Sequence, residues 1–466
     1  MEGLVLGVLA GQFRHVRNGI PPLPMKPLFP RIAFGAYRTV GQIARPFAGL
    51  YLAGRSFAGK EERNRRRERY GYASAERPER PLVWVHAASV GELNAIAGLI
   101  DHLARHNVHV LLTTSTVTAA AIASKRFTDR VTHQYRPLDI PAIMRRFLNF
   151  WRPDLVVSCE SEIWPTTIHL LSERHIPHAL VNGRLSDKTF ARWRKNPSLA
   201  AALLNRYALI LAQSDEQAER FGLLSERRVT STGNLKADAQ IPAAEMDEVR
   251  RLGAAIGQRD VWAAISTHPG EEEMAGAVHR MLEKRHPDIL TLIVPRHAER
   301  GDVIAAQLSE VGFRVAQRSK GEVPDRQTDI WLGDTMNELG LYLRLSGIAF
   351  MGRSMAAEAT GGQNPLEAAM LDTAILTGPD HTNFRDAFEK LRSAGGAKVV
   401  EDSKTLAGAV NFLLTRPSMR NRMAAAAADA AGKMRGALDA TLRELDRFIH
   451  PLIMDATFRN ETDDVH

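Results

Sequence analysis

The sequence predicts an α/β protein with two doubly wound, Rossmann-like domains that face each other across a cleft. From residue 82 onward, short apolar runs alternate with amphipathic stretches, as in parallel sheets covered by helices. The alternation breaks between Gly233 and Ala244, where Gly, Asn and Pro occur together, and it then resumes. A chain of 466 residues is also too long for one ordinary core.

Each half is expected to contribute several strands, each followed by a helix. The predicted strands of the first half are 82–87, 108–113, 154–158, 178–181, 208–212 and 228–231. Those of the second half are 261–266, 289–294, 313–315, 347–350, 374–376 and 397–400. Residues 402–452, rich in Ala and Met, are expected to form helices that pack across the outside.

The predicted organisation has an N-terminal extension, an amphipathic helix with a basic run, two Rossmann-like domains, and a C-terminal helix with a tail. In chain order these parts are 1–30, 31–69, 70–240, 241–435 and 436–466. In doubly wound folds ligands bind beyond the carboxyl ends of the strands, so two facing domains indicate one substrate for each. The loops after the strands are therefore the candidate sites.

The composition is that of a globular protein, with 44% hydrophobic and 24% charged residues. The single cysteine, Cys159, excludes an intramolecular disulfide and fits a reducing compartment. The 61 basic and 53 acidic side chains leave a net charge of +8, which favours an anionic partner but is equally typical of a slightly basic enzyme. No nucleic-acid partner is predicted.

The segment from residue 32 to residue 52 is apolar but contains arginines. Three arginines recur every seven residues and therefore share one helical face: Arg31, Arg38 and Arg45. The opposite face is apolar and carries Ala36, Val40, Ile43, Phe47 and Leu50. Because a guanidinium at mid-bilayer is costly, the pattern indicates a helix that lies in the membrane interface rather than one that crosses the bilayer.

Two neighbouring features complete the N-terminal prediction. Pro46 is expected to kink the helix, and the run from Lys60 to Arg69, with six basic residues in ten, suits anionic headgroups. The alternative is a helix packed on the protein's own core, followed by a solvated charge run. Residues 4–10 are apolar but short, and they follow Glu2 rather than a positive segment, which argues against a signal peptide.

The first predicted strand runs into Ser89–Glu92 (S-V-G-E), which has the spacing of a helix capping box. In that interpretation Ser89 caps the helix and the Glu92 carboxylate reaches back to the backbone. Alternatively, Glu92 faces the cleft, where its carboxylate can accept a proton from an attacking hydroxyl. The residues leave both interpretations open, and the two differ in where the carboxylate points.

Further polar loops follow the other strands of the first half. A hydroxyl-rich loop (T-T-S-T-V-T) opens a helix and could hold a phosphate, and two acids that end a strand (E-S-E-I-W-P) favour a role facing the substrate. Cations in V-N-G-R-L-S and G-N-L-K could hold an anionic sugar or phosphate. The candidate residues of these loops are Thr114, Ser115, Glu160, Glu162, Arg184 and Lys236.

The second half carries four loops typical of nucleotide binding. S-T-H-P-G-E-E-E opens a helix whose amides can receive a phosphate, although its acids also suit a helix N-terminus by themselves. P-R-H-A-E-R supplies cations, G-D-T-M-N-E-L opens another helix, and G-G-Q-N-P-L-E allows close backbone approach and offers a carboxylate for ribose hydroxyls. The candidate residues are Ser266, Thr267, His268, Arg296, His297, Met336, Glu338, Arg353, Gly362, Asn364 and Glu367.

The sequence offers no recognisable metal site. It contains no D-x-D, the usual acidic cradle for a divalent metal and a sugar diphosphate, and its His and Cys do not cluster at zinc spacing. We therefore predict neither a metal nor a cofactor. Fixed cations would then stabilise the leaving nucleotide, which suits a nucleoside monophosphate better than a diphosphate.

Taken together, these loops resemble one family. S-V-G-E, E-S-E-I-W-P, V-N-G-R-L-S, G-N-L-K-x-D, S-T-H-P-G-E-E-E, P-R-H-x-x-R, G-D-T-M-x-E-L and G-G-x-N-P-L-E occur in the same order in the 3-deoxy-D-manno-octulosonic acid (Kdo) transferases. The resemblance covers roughly residues 32–430. It implies the GT-B fold, CMP-Kdo as donor and a lipid A precursor (lipid IVA) as acceptor. It also implies inverting, metal-independent transfer at the cytoplasmic face of the inner membrane.

The resemblance further implies roles for individual residues. Glu92 becomes the general base for the acceptor hydroxyl, and Glu160 and Glu162 support the acceptor side. CMP would be held by Ser266, Thr267, Arg296, Asn364 and Glu367. The rival interpretations are another GT-B transferase, a nucleotide-sugar epimerase, which needs no membrane helix, and a basic membrane-binding scaffold without catalysis.

Three residues depart from the family pattern, all on the nucleotide side. Asn337 replaces the glycine usual in G-D-T-M-G-E-L, Arg353 stands where a second glycine is usual, and Gln363 replaces a histidine. Arg353 could add a phosphate contact. Residues 1–25 extend beyond the family's usual start, which makes Met25 a candidate initiator.

Overall fold

Two parallel seven-stranded sheets form the protein in the computed structural model, which describes residues 28–127, 131–238, 241–356 and 361–463. Strand β1, for example, is buried along its whole length, with Val83 and Val85 in one apolar cluster and Leu82 and Trp84 in another. Burial on both faces is what a parallel sheet covered by helices requires. The predicted pair of Rossmann-like domains is confirmed, and the finer boundaries between the five parts stay predictions.

The first domain follows two N-terminal helices and a short third one. The helices are α1 (Leu28–Ala44), α2 (Ala48–Phe57), α3 (Arg66–Arg69), α4 (Val90–Arg105), α5 (Val117–Arg126), α6 (Pro141–Trp151), α7 (Pro165–Glu173), α8 (Asp187–Arg194), α9 (Pro197–Leu204) and α10 (Asp215–Ser225). The strands are β1 (Leu82–His86), β2 (His109–Thr114), β3 (Val131–Tyr135), β4 (Leu155–Cys159), β5 (His178–Gly183), β6 (Leu209–Ala212) and β7 (Thr230–Ser231). Their order in the sheet is β3-β2-β1-β4-β5-β6-β7.

The second domain repeats this plan. Its strands are β8 (Val261–Thr267), β9 (Leu290–Pro295), β10 (Val315–Gln317), β11 (Ile330–Leu332), β12 (Ile348–Met351), β13 (Ala374–Thr377) and β14 (Ala397–Val399), in the order β10-β11-β9-β8-β12-β13-β14. The remaining helices are α11 (Met246–Ile256), α12 (Glu271–Leu282), α13 (Gly301–Glu310), α14 (Leu339–Ser346), α15 (Leu366–Ala369), α16 (Arg385–Ser393), α17 (Ser403–Thr415), α18 (Pro417–Lys433) and α19 (Ala437–Asp463).

Three features of this topology differ from the sequence prediction. Strands β3 and β11 were not predicted, because β3 is polar (V-T-H-Q-Y) and lies at a sheet edge, while β11 has only three residues. Strand β10 begins at Val315, where the predicted strand 313–315 ends. Helix α19 packs through one face on the first domain, which was not predicted, since Leu445 and Ile449 join the same apolar cluster as β1. The chain therefore ends by returning to its first domain.

Helix α1 packs on the first domain through the face that carries Arg38. The Arg38 guanidinium donates to Nε2 of His169 at 2.5 Å, and the Tyr37 hydroxyl donates to Oδ2 of Asp139 at 3.2 Å. Phe34 packs against an apolar cluster of the domain. The predicted interruption at Pro46 is confirmed, because a 3-10 turn, Arg45–Phe47, separates α1 from α2.

The predicted apolar face of these helices is exposed. The exposed fractions are 64% for Val40, 67% for Ile43, 63% for Phe47 and 73% for Leu50. The side chains of Arg31 and Arg45, and the extension up to residue 27, including Met25, lie outside the described residues. No helix in the described ranges is long and apolar enough to cross a membrane.

Three of the six cations in the basic run after α2 are engaged by protein groups, and the expected contact of the run with anionic headgroups stays a prediction. Arg65 pairs with Glu68 at 2.8 Å, and Arg69 is buried and pairs with Glu61 at 2.9 Å. The Arg69 guanidinium also lies 4.6 Å from the ring centre of Tyr135. Within the run, Lys60, Arg63 and Arg67 are exposed.

Candidate active site

Glu92 lies in the first turn of α4, directly beyond the carboxyl end of β1. Oγ of Ser89 accepts from the backbone N–H of Glu92 at 3.4 Å, and it donates to the Glu92 carboxylate at 3.0 Å. The other carboxylate oxygen accepts from the backbone N–H of Ala88 at 2.8 Å. The capping interpretation is therefore confirmed, with the carboxylate reaching one residue further back than a standard capping box.

The same carboxylate also has the protonation behaviour of a base. Glu92 is only partly buried, and its burial, followed by the negative charge of Glu160, raises its pKa to about 7. The charge of Glu162 adds to this, while the bonds from Ala88 and Ser89 act in the opposite direction. A group whose pKa lies near neutral pH is suited to accept a proton at that pH. The capping role and the base role are thus compatible.

Glu160 and Lys236 form an ion pair at the boundary between the two domains. Nζ of Lys236 lies 2.5 Å from Oε1 of Glu160, and it also lies 5.3 Å from the ring centre of Phe384 in the second domain. Glu160 adopts the left-handed region with φ of 59°, which turns the chain sharply after β4. The structure therefore brings these two predicted residues together and close to the opposite domain.

Arg184 makes the second contact between the domains. Its guanidinium donates to the carbonyl oxygen of Thr382 at 3.3 Å and to Oδ1 of Asn383 at 3.4 Å. Asp187 and Arg385 add an ion pair between the domains at 3.5 Å. The predicted cations of the first domain thus lie where the cleft closes, and Arg184 is partly occupied by protein groups.

Glu162 is held in a polar network rather than presented to a ligand. His86 Nε2 lies 3.2 Å from Oε2 of Glu162, and Nε1 of Trp164 donates to the same oxygen. Burial acts to raise the pKa of Glu162, but the bond and charge of His86 and the charge of Arg136 lower it to about 2. Arg136 itself is buried and lies 3.8 Å from the Trp164 ring centre. Glu162 consequently stays ionised and influences Glu92 through its charge.

Sequence reasoning missed His86 and Arg136. His86 was available as a polar residue near the end of the predicted strand 82–87, whereas Arg136 follows β3, which was not predicted. The hydroxyl loop shows the reverse error. Thr114 is fully buried and its hydroxyl bonds with Nε2 of His133 at 2.9 Å, which is inconsistent with a ligand contact. Ser115 is partly exposed, and its carbonyl accepts from Arg69 at 2.9 Å.

On the nucleotide side, acids of α12 already use part of the helix N-terminus. The buried Glu271 carboxylate accepts from the backbone N–H of His268 at 2.9 Å, and Glu273 accepts from that of Gly270 at 3.1 Å. The Glu272 carboxylate pairs with Arg300 at 2.8 Å and accepts from the buried Thr267 hydroxyl at 2.9 Å. The backbone N–H groups of His268 and Gly270 and the Thr267 hydroxyl therefore already have protein partners, whereas a phosphate contact at the first-turn amides of α12 stays a prediction.

Basic side chains converge on the other side of this turn. Burial and, after it, the charges of neighbouring basic groups lower the pKa of His268 to about 4; these groups are Arg353, His297, Arg296 and Arg300. The His268 and His297 rings lie 5.8 Å apart, and Gln363 contacts Nε2 of His268 at 3.3 Å. Such a concentration of positive charge suits an anionic ligand.

Asn364 and Glu367 meet at the start of α15. The side-chain nitrogen of Asn364 donates to the Glu367 carboxylate at 3.4 Å, and the side-chain oxygen of Asn364 accepts from the backbone N–H of Leu366 at 3.1 Å. Burial raises the pKa of Glu367, against the effects of Asn364 and Arg296. Glu367 borders a cavity of about 1080 Å³ between the domains, which Asn94 of α4 and other residues also line.

The remaining predicted residues have mixed surroundings. Glu338 accepts from Arg318 at 2.7 Å, so it is engaged within the domain, whereas Met336 is 54% exposed. The backbone N–H of Gly362 donates to the carbonyl of Arg353 at 2.9 Å, and Ser266 has φ of 55°. No group of three His, Cys, Asp or Glu side chains that could hold a metal occurs in the described part of the chain.

Two departures from the family pattern lie at left-handed backbone positions, and the backbone geometry accounts for one of them. Asn337 has φ of 65° and Arg353 has φ of 61°, the left-handed region that glycine adopts without strain. Asn tolerates this region because its short side chain bonds locally, whereas a larger residue costs about 1–2 kcal/mol. At position 337 asparagine therefore replaces the usual glycine at little cost, whereas at position 353 arginine replaces it with backbone strain.

Comparison with known proteins decides the family. The model of the 3-deoxy-D-manno-octulosonic-acid transferases (kdotransferases) matches residues 64–239. The 3-deoxy-D-manno-octulosonic acid transferase of Haemophilus influenzae is 34% identical over 420 residues, which cover 89% of this chain and 98% of that protein. The chain belongs to the Kdo transferase family. The enzyme of the same name from Bordetella pertussis is 35% identical over 394 residues, 80% of this chain and 90% of that protein. The protein is therefore a glycosyltransferase.

Solved structures support the fold. A glycosyltransferase from Rickettsia africae matches with a TM-score of 0.54 at 10% identity, over 81% of this chain and 99% of that one. The UDP-GlcNAc 2-epimerase of Neisseria meningitidis matches with a TM-score of 0.52 at 16% identity, over 78% of this chain and 100% of that one. The predicted GT-B architecture is confirmed. Because identities this low report the fold alone, the epimerase likeness does not compete with the Kdo transferase family.

Proposed function

We propose that this protein transfers Kdo from CMP-Kdo to the primary hydroxyl of a lipid A precursor, lipid IVA, with inversion at the anomeric carbon. The observation that carries the proposal is the Glu92 carboxylate, which has a pKa of about 7 and lies beyond a strand of one domain. The second domain supplies a cluster of basic groups suited to an anionic nucleotide. Membership of the family supports the identity of the sugar.

In the proposed reaction, Glu92 accepts the proton of the acceptor hydroxyl. The hydroxyl oxygen forms a bond to the anomeric carbon of Kdo, the bond from that carbon to the phosphate oxygen breaks, and CMP leaves with the electron pair. A base in one domain and a phosphate held by the other place attack and departure on opposite sides, which inverts the configuration. Arg296 and His297 offset the charge that develops on CMP, and Asn364 and Glu367 hold the ribose.

On the acceptor side, we assign the anionic groups of the lipid to Lys236 and Arg184. Both are cations at the boundary between the domains, although each also contacts protein groups. Ser89 and Ser115 are the hydroxyls of this side that are partly exposed. Because Glu160 already neutralises Lys236, an acceptor phosphate would have to share or displace that ion pair.

The test is a transfer assay with CMP-Kdo and a tetra-acylated lipid A precursor, followed by mass spectrometry. We expect the mass of the acceptor to increase by one or more Kdo residues, and we expect the anomeric signal in NMR to show inversion. The matched control is Glu92→Gln, which keeps an oxygen for capping but has no base. Transfer from another activated sugar but not from CMP-Kdo would overturn the proposed donor.

We further propose that α1 and α2 bind the anionic cytoplasmic face of the inner membrane. Their exposed apolar face supports this, since it is continuous over Val40, Ile43, Phe47 and Leu50 and lies close in sequence to exposed basic residues.

Vesicle flotation tests the membrane proposal. We expect the protein to float with vesicles that contain phosphatidylglycerol, and Val40→Asp combined with Ile43→Asp to abolish flotation. The matched control is Leu223→Asp, since Leu223 is also exposed, at 56%, but lies in α10. Unchanged flotation, or a change only in oligomeric state, would show that another surface or a second copy covers this face. Deleting residues 1–58 should also move the protein to the soluble fraction.

A further inference from the structure

Arg353 combines two unfavourable features in one residue. Its backbone lies in the left-handed region with φ of 61°, where a side chain of this size is strained. Its Nε is buried and has no hydrogen-bond partner among the residues that the structure describes. A buried donor without an acceptor is costly, so the site is complete only when an acceptor is bound. Strain and an unmet donor at one position indicate a ligand contact rather than a structural role.

The backbone of the loop that carries Arg353 is fixed by hydrogen bonds to Glu271. The buried Glu271 carboxylate accepts from the backbone N–H groups of Arg353 at 2.7 Å, Ser354 at 3.1 Å and Met355 at 3.0 Å. The Arg353 carbonyl accepts from Gly362 at 2.9 Å on the other side. Three bonds to one carboxylate leave this backbone little freedom, so the position from which the Arg353 side chain extends is fixed before a ligand arrives.

The charges that act on Glu367 and His268 indicate the order of the basic groups. Arg296 acts on both the Glu367 carboxylate and His268, whereas Arg353 acts on His268, where it is the foremost cation. Gly362 donates to the Arg353 carbonyl, and its neighbour Gly361 lies very close to Asn383. A Cβ added at Gly361 would lie 2.1 Å from the side-chain amide nitrogen of Asn383. Asn383 in turn accepts from Arg184 of the first domain at 3.4 Å, as described above.

The order of these groups matches the order of charges in the proposed donor. In a CMP ester of an octulosonic acid, the phosphate follows the ribose, and the sugar carboxylate lies beyond the phosphate, next to the anomeric carbon. With the ribose at Glu367, the phosphate falls near Arg296 and the carboxylate falls near Arg353. We propose that Arg353 binds the carboxylate of the donor sugar and thereby selects an acidic sugar over a neutral one. This inference rests on the donor assigned above and goes beyond it.

Calorimetric titration with matched ligands tests the proposal. The ligands are CMP, a non-hydrolysable phosphonate analogue of CMP-Kdo, and the same analogue with its carboxylate converted to a primary amide. We expect the wild type to bind the carboxylate analogue about 10- to 100-fold more tightly than the amide, as for a charge-assisted, bidentate pair. Arg353→Gly should abolish that preference and change the Kd of CMP by less than about twofold. Arg353→Lys should restore only part of it.

Two controls separate this effect from misfolding. Glycine suits a φ of 61°, so Arg353→Gly should melt no lower than the wild type. Arg152→Gly makes the same substitution at an exposed left-handed position, with φ of 41°, and should leave all three affinities unchanged. Equal loss of CMP and of the carboxylate analogue in Arg353→Gly, or no loss of either, would overturn the proposal while the donor assignment stands. A wild type that binds no CMP would instead refute the proposed function itself.

Discussion

Glu92→Gln separates the capping role of this side chain from its role as a base. The pKa of Glu92 is raised from 4.5 to about 7, so the folded state holds its proton more tightly than the unfolded state does. This stabilisation is fully present below pH 4.5 and is lost as the pH rises through 7. The penalty on the ionised form is about 3 kcal/mol at 1.36 kcal/mol for each pKa unit.

The glutamine variant should therefore be more stable than the wild type at pH 8, by up to about 3 kcal/mol, and equally stable at pH 4. Its amide oxygen still accepts from Ala88, so the cap is kept. Glu92→Ala loses the side-chain bonds to Ala88 and Ser89 as well, and at pH 4 it should be about 1 kcal/mol less stable than the glutamine variant. Urea unfolding at the two pH values measures both differences.

Activity should follow the opposite trend with pH. Because only the ionised carboxylate accepts a proton, kcat/KM of the wild type should rise with pH around a midpoint of about 7 and should be about tenfold lower at pH 6. Glu92→Gln and Glu92→Ala should abolish transfer while CMP still binds. Glu160→Gln removes a negative charge near Glu92 and should move the midpoint to lower pH.

Initial rates between about pH 5.5 and 8.5, roughly 1.5 pH units either side of the midpoint, provide the profile. Near-normal turnover of Glu92→Gln would refute the assignment of the base. The argument that burial and the charge of Glu160 raise the pKa of Glu92 would be refuted by two results together: an unchanged midpoint in Glu160→Gln, and no gain in stability of Glu92→Gln at pH 8.

Two further predictions concern the framework of the site. Leu445→Ala should destabilise the protein by about 2–5 kcal/mol, because Leu445 of α19 is buried in the first core, whereas the exposed Glu444→Ala should change stability by less than about 0.5 kcal/mol. Equal urea midpoints for the pair would contradict the packing of α19. Arg300→Ala leaves the buried Glu272 without its cation and should cost about 3–5 kcal/mol in thermal or urea unfolding. A neutral effect would show that Glu272 is satisfied by other groups.

The local order of residues was enough to determine the two-domain architecture. Long apolar strands such as β8 and amphipathic helices alternate, and this alternation is a property of neighbouring residues that any parallel α/β fold must satisfy. The capping box at Ser89–Glu92 and the interruption at Pro46 were predictable for the same reason, because each depends on a few adjacent residues.

Only the tertiary structure decided which polar side chains are available to a ligand. Glu162 and Thr114 both follow predicted strands, where ligand-binding residues are expected. Yet His86 engages Glu162 and His133 engages Thr114, each from a distant point in the sequence. Likewise, the neutral pKa of Glu92 depends on burial and on charges that reach it from another loop. Hydrogen bonding, burial and charge are set by the distance between side chains in space, and that distance is fixed only when the sheets have assembled.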